Sequence, residues 1–387
     1  MADKRAKPQP AQASQRPPFD RIALVLQGGG ALGSYQGGVY QALAEAGIHP
    51  DWVTGISIGA INAAIIAGND PDDRVARLRQ FWERVSEPPL GVPYLPVAID
   101  DFSHLWINRM RAFGILSFGA PDFFRPRWPP VISTPASGFD RLSYYDVTPV
   151  RNLLGELVDF DRINRGATRL SVGATNVRTG NFLYFDSETA PLTVDHVLAS
   201  GALPPGFPAV QIDGDHYWDG GVVSNTPLDW ILDSPDRKDS LIFQVDLWNA
   251  RGELPRDMME VDLRQKEIRF SSRTRLASDH FRKSQTLRRA VHALMERLPP
   301  EIRQLPETEL LAAEADESSY TIAQLIYRAR NYEGSSKDYD FSRRTMEEHW
   351  AAGLADTRRT LAHPQLLQPA TRDEAVRVFD LGKPAQP

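Results

Sequence analysis

Between residues 21 and 68, short apolar runs that stop at glycine alternate with segments of helical period. Ile22 to Leu26 is apolar at every position and too short for a helix, so it reads as a buried strand entering Gly28-Gly29-Gly30. Val39, Leu43 and Ala46 then share one helical face, with Gly47 placed as the stop. A second short strand, Trp52 to Thr54, ends in Gly55-Ile56-Ser57-Ile58-Gly59, and a small-residue helix, Ala60 to Ala67, follows. Farther on, Val75, Leu78, Phe81, Trp82 and Val85 make the buried stripe of an amphipathic helix over Asp70 to Glu87. A helix is predicted over Pro149 to Val158 and another over Thr193 to Ser200, with strand-like runs at Arg169 to Ala174, Phe182 to Phe185 and Leu241 to Leu247.

The turn at Ser57 brings in chemistry. A serine between glycines, directly after a strand and directly before a helix, sits on a bend sharp enough to present its hydroxyl to a substrate. Gly55 and Gly59 lack the Cβ atoms that would collide there, and the helix directs its amide end toward an oxyanion. The amides of Gly28, Gly29 and Gly30 are candidates for the same task. A competing reading uses Gly28, Gly30 and Gly33 as a G-x-G-x-x-G dinucleotide turn, which needs an acidic residue at the end of the second strand. Asp51 is at about the right distance but precedes that strand, and the serine turn occupies the strand's far end. Nucleotide retained on purification would be the mark of this alternative.

Composition narrows the classes. The chain has 387 residues, 42% hydrophobic and 24% charged, which is ordinary globular composition. It contains no cysteine, which removes disulfides, thiolate metal sites and a cysteine nucleophile. Its net charge of −6 argues against a general nucleic-acid binder. No apolar run approaches the roughly 20 residues that span a bilayer. Residues 1–20 read as a disordered tail without the apolar stretch of a signal peptide, so a cytoplasmic protein, peripheral at most to the inner face of the membrane, is expected.

A serine nucleophile needs a base. Asp219-Gly220-Gly221, just after the short strand Tyr217-Trp218, sets a carboxylate where the next residues cannot crowd it. The eight histidines occupy no recognisable catalytic turn.

Gln27-Gly28-Gly29-Gly30-Ala31-Leu32-Gly33, Gly55-Ile-Ser57-Ile-Gly59 and Asp219-Gly220-Gly221 together resemble, in order, the three motifs of patatin-like phospholipases. The resemblance covers roughly Arg21 to Leu247. It implies an α/β fold, a three-layer α/β/α sandwich about a central, mostly parallel sheet. It also implies hydrolysis of lipid acyl esters by a Ser-Asp dyad, without histidine, calcium, metal or cofactor. By that resemblance Ser57 is the nucleophile, Asp219 the proton acceptor and Gly28, Gly29 and Gly30 the oxyanion turn, with Gly33, Gly55, Gly59, Gly220 and Gly221 supporting the motifs. Many relatives have D-G-A where this chain has D-G-G. Acyl transfer to an acceptor other than water would use the same dyad.

The expected organisation is a catalytic domain over residues 21–249 and an extension over 250–387. Residues 90–145, crowded with proline and aromatics, read as a lid over an acyl groove or as a satellite core. Residues 264–297 carry ten Lys or Arg against three acids, a formal +7, with Leu287, Val291, Leu294 and Leu298 on one helical face. That segment has two readings, contact with an anionic membrane and the charged face of a packing helix. Thr321 to Ala329 fits a strand or a helix, Asp338 to Leu361 a helix, and the tail from Pro364 reads as irregular. The extension would complete the lid, join subunits in a homo-oligomer or bind a partner. The expected substrate is a lipid or another acyl ester.

Overall fold

The computed structural model describes residues 16–88, 114–115, 117–129, 138–271, 274–328, 337–371 and 374–380. Ile22, Leu24 and Leu26 point to one side of the first strand and Ala23 and Val25 to the other, and all five are buried. A strand apolar on both faces needs cover on both, as in parallel sheets. That strand, β1 (Arg21–Leu26), runs into helix α1 (Ser34–Glu45), then β2 (Trp52–Gly55) and helix α2 (Ile58–Ala67). The amphipathic helix is α3 (Arg74–Val85), which buries Leu78, Phe81, Trp82 and Val85 as its stripe predicts.

After the small β3 (Arg125–Pro126) and β4 (Tyr145–Asp146) pair come α4 (Thr148–Leu157), α5 (Phe160–Asn164), β5 (Arg169–Asn176) and β6 (Phe182–Asp186). Then follow α6 (Val194–Ser200), β7 (Val210–Ile212), β8 (Asp215–Asp219), α7 (Leu228–Leu232) and β9 (Ser240–Asp246). The remaining helices are α8 (Met258–Phe270), α9 (Thr274–Arg297), α10 (Pro300–Arg303), α11 (Pro306–Glu314) and α12 (Arg343–Leu361), with β10 (Tyr320–Ile326) before α12 and β11 (Val376–Asp380) after it.

Nine strands form the main sheet in the order β11-β10-β9-β1-β2-β5-β8-β7, with β6 also paired to β5. The six from β11 to β5 are parallel, while β6 and β8 run antiparallel to β5 and β7 antiparallel to β8. Two apolar cores cover the two faces. The larger joins Leu24, Leu26 and Val53 to α1, α2, α3 and α12, and the smaller joins Val25 and Ile242 to α7 and to Phe281 of α9. The result is the three-layer α/β/α sandwich.

The segment beyond residue 250 enters this body. β10 pairs with β9 along its whole length, and β11 extends the sheet within the tail expected to be irregular. Helix α12 lies backbone to backbone on α1: a Cβ added to Gly38 would fall 1.9 Å from the Trp350 carbonyl oxygen. The Trp350 indole donates to Gln41 at 2.7 Å across the same contact.

Part of the expected lid, residues 90–113, 116 and 130–137, lies outside the described residues. Of the remainder, Phe123 and Phe124 join the larger core, whereas Phe118 and Trp128 are exposed. Phe19 is already buried, and Arg16 pairs with Asp51, so the described chain is anchored before β1 begins.

Candidate active site

In parallel sheets ligands collect beyond the carboxyl ends of the strands, where neighbouring connections diverge. β1 pairs with β2 so that Leu26 faces Gly55, which places the glycine turn and the serine turn side by side at that end. A Cβ added to Gly28 would come within 3.1 Å of the Ser57 Cβ. The third motif arrives by register. Gly55 faces Val172 on β5, and two residues farther along Ala174 faces Asp219, level with residue 57. The Ser57 hydroxyl lies near enough to the Asp219 carboxyl to lower its pKa. Residues distant in sequence thus meet at one point.

Ser57 has φ 57°, a left-handed conformation a non-glycine residue adopts only when its surroundings hold it there. Those surroundings are visible. A Cβ on Gly55 would sit 2.3 Å from the Gly59 carbonyl oxygen, and one on Gly59 2.3 Å from that of Leu26. The Ser57 amide donates to both the carbonyl and the Oγ of Ser200, each at 3.1 Å. Ser200 Oγ in turn donates to the Gly173 carbonyl at 2.6 Å.

Asp219 is 1% exposed. Burial pushes its carboxyl from the usual 3.8 up to about 7, while the nearby Ser57 hydroxyl and the hydrogen bond from the Gly221 amide pull the other way. The Gly221 amide lies 2.7 Å from Asp219 Oδ1, and the Asp219 amide donates to the Ala202 carbonyl. Gly220 lies against the Gly173 carbonyl, and Gly33 against Ile58 and Trp82.

The three turn glycines differ. The Gly28 amide donates to the Asn225 carbonyl at 3.3 Å, while those of Gly29 and Gly30 have no hydrogen-bond partner among the described residues. The turn is held from outside. Gln27, fully buried, accepts the Leu247 and Trp248 amides at 2.6 and 3.0 Å and donates to Thr226 and to the Phe270 carbonyl. The Asn225 amide group bridges the Gly28 and Phe270 carbonyls at 3.0 and 2.9 Å. The Asp338 carbonyl takes the Ala31 amide at 2.8 Å, and the Lys266 ammonium pairs with the Asp338 carboxylate. Phe270 ends α8 and Asp338 precedes α12, so the segment beyond residue 250 fixes the turn.

Ser200 and Asn225 take part without any signal in the sequence analysis. A serine closing a short helix and an asparagine in a Ser-Asn-Thr-Pro turn both look like capping residues. Asp51 is at the wrong end of the sheet for a nucleotide ribose, since it accepts the Ile22 amide at 2.8 Å at the start of β1. An apolar cleft opens beside Ser200, lined by Ile61, Phe123, Val197, Leu198, Ala202 and Phe207. Among the described residues, no group of three His, Cys, Asp or Glu could hold a metal ion, and no helix is long and apolar enough to cross a membrane.

Comparison with known proteins gives a consistent family. A family model described as patatin-like phospholipase matches residues 24–230, and a second, described as patatin phospholipase, matches 268–373. An uncharacterised NTE family protein of Mycobacterium tuberculosis is 42% identical over 78 residues, which are 20% of this chain and 13% of that protein. Patatin-like phospholipase domain-containing protein 6 of Homo sapiens is 42% identical over 77 residues, 19% and 6% of the two chains. Lysophospholipase nte1 of Aspergillus terreus is 56% identical over 65 residues, 16% of this chain and 4% of that protein. The matches thus span a small part of these longer relatives. Among solved structures, VipD from Legionella pneumophila aligns over 90% of this chain and 67% of its own, with a TM-score of 0.39 and 17% identity. ExoU, a type III effector, aligns over 91% and 54%, with a TM-score of 0.31 and 14% identity.

Proposed function

This chain belongs to the patatin-like phospholipase family, and from that premise and the geometry of the site we propose that it hydrolyses lipid acyl esters through Ser57 and Asp219. The strand register that sets the Ser57 turn level with the buried Asp219 carboxyl carries the reading.

In the first step the Asp219 carboxylate takes the Ser57 proton as Oγ bonds to the ester carbonyl carbon. The carbonyl oxygen becomes an oxyanion beside the Gly29 and Gly30 amides, which have no partner of their own among the described residues. Collapse breaks the bond to the alcohol oxygen, and protonated Asp219 returns its proton to that leaving group. Water then attacks the acyl-serine, giving a proton to Asp219; collapse breaks the bond to Ser57 Oγ, Asp219 returns its proton to that oxygen, and the free acid departs. A carboxyl group at about 7 is better matched to this exchange near neutrality than one at 3.8.

The test is covalent labelling by a fluorophosphonate together with release of product from a soluble short-chain ester. Wild-type protein should label at Ser57 and turn over, and Ser57→Ala should do neither. Turnover that survives Ser57→Ala would end the assignment.

A further inference from the structure

Exposed apolar side chains and arginines leave this site in two directions. On one arc, Leu203 follows Ala202, whose carbonyl takes the Asp219 amide, and 42% of it is exposed. The Tyr144 amide donates to the Pro205 carbonyl and the Arg127 amide to the Tyr144 carbonyl, so the arc runs on to Tyr144, its neighbour Leu142 and Trp128, which is 90% exposed. On the other arc, Val222 and Val223 come directly after Asp219-Gly220-Gly221 and are both exposed. Asn225 then reaches the Phe270 carbonyl at the end of α8. That helix turns Val261, Ile268 and, at its far end about 18 Å from Phe270, Met258 outward on one face, which also carries the exposed Asp262.

Single exposed apolar residues are normal, but runs of them leading away from one site mark an interaction surface. Cations accompany these runs. Arg125, Arg127 and Arg141 lie on the first arc and Arg269 beside Ile268 on the second, and none pairs with a carboxylate among the described residues. Other basic residues of 264–297 behave otherwise: Arg264 pairs with Glu267, Lys266 with Asp338, and Arg288 with Asp233 and Glu314. Three of that segment's ten cations are thus paired, and Arg269, from the same segment, adds to the second arc.

We propose that this belt is the surface by which the protein sits on an anionic phospholipid bilayer, with the opening to Ser57 pressed against the lipid. The proposal rests on the acyl-hydrolase reading above and adds that the substrate is drawn from a membrane. Trp and Tyr suit the boundary between headgroups and acyl chains, the aliphatic side chains enter it, and guanidinium groups pair with lipid phosphates.

Sedimentation of the full chain with phosphatidylcholine vesicles, with and without phosphatidylglycerol, tests it. Wild-type protein should prefer the anionic vesicles. Trp128→Ala combined with Met258→Ser should weaken vesicle binding at least about tenfold. Arg125→Gln combined with Arg141→Gln should lose about thirtyfold of the anionic preference. Both pairs should hydrolyse a soluble short-chain ester at the wild-type rate. Vesicle binding equal to wild type in both pairs, or no binding by wild type, would overturn the proposal. So would variants that abolish self-association in place of vesicle binding, since the belt would then be an interface between copies. Absence of Ser57-dependent turnover of the soluble ester would strike the hydrolase reading alone, with sedimentation still deciding the belt.

Discussion

Replacing Asp219 by asparagine separates its proposed role in catalysis from its cost to the fold. The carboxyl is 1% exposed and held at about 7 by burial, so at pH 6 about one molecule in ten carries the base and at pH 8 about nine in ten. Wild-type kcat/KM on a soluble ester should therefore climb nearly tenfold per unit below pH 7 and level off above it. The carboxamide of the Asp219→Asn variant cannot take a proton, and loss of a general base typically costs about a hundred- to ten-thousandfold. Stability should move the opposite way. Between pH 3.8 and 7 the unfolded chain releases this proton while the folded chain keeps it, so the wild type loses stability as pH rises through that window. Three units correspond to at most about 4 kcal/mol. Asp219→Asn has no such loss, and its advantage in denaturant unfolding should grow from pH 4 to pH 7 and stay constant above. A rate profile flat down to pH 5, or a variant within threefold of wild-type turnover, would refute the reasoning.

Other substitutions probe the same structure. Ser200→Ala removes the Oγ that holds the Ser57 amide and leaves the Gly173 carbonyl short of a donor, so kcat should fall by about tenfold with KM on a soluble ester little changed. Gly38→Ala should cost several kcal/mol, on the order of overpacking, because its Cβ meets the Trp350 carbonyl, as thermal unfolding would register. Gly155→Ala, where a Cβ meets nothing within 4 Å in helix α4, should add about 0.5–1 kcal/mol. Asp186 accepts from Arg169, Ser171 and Trp230, and these bonds hold its carboxyl below the usual carboxylate range against its burial. Its contribution is present above pH 4 and lost as pH falls through its own lowered value. Asp186→Asn should therefore destabilise by about 3 kcal/mol or more at pH 7, with the gap to wild type closing in acid.

The parts of the site set by backbone sterics are legible in the sequence. Where the chain turns so tightly that a Cβ cannot fit, only glycine serves, and Gly55 and Gly59 record that need in the letters themselves. Ser200 and Asn225 leave no such trace, because a hydrogen bond across the fold demands only a small polar side chain. Strand β10 is ambiguous since it is buried on both faces and shows neither period, and β11 is short and half-buried at an edge. Helix α9 shows a different limit. Its pattern gives an apolar face at Leu287 and Leu294, yet these are 66% and 51% exposed, and the sheet is packed instead by Phe281 with Gln285 beside it. Periodicity shows that a helix has an oily side, not what lies against it.

The position of β10 bears on how the protein is made. β9 is buried along its full length, and its free flank is closed only by β10, roughly 70 residues later, a delay of some seconds at ribosomal speeds of about 5–20 residues per second. During that interval a nascent chain carrying β1 and β9 presents an adhesive, unpaired edge to its neighbours. Shortened versions ending before Tyr320 should therefore clump during synthesis, and the cell's holding chaperones have a natural target in this gap.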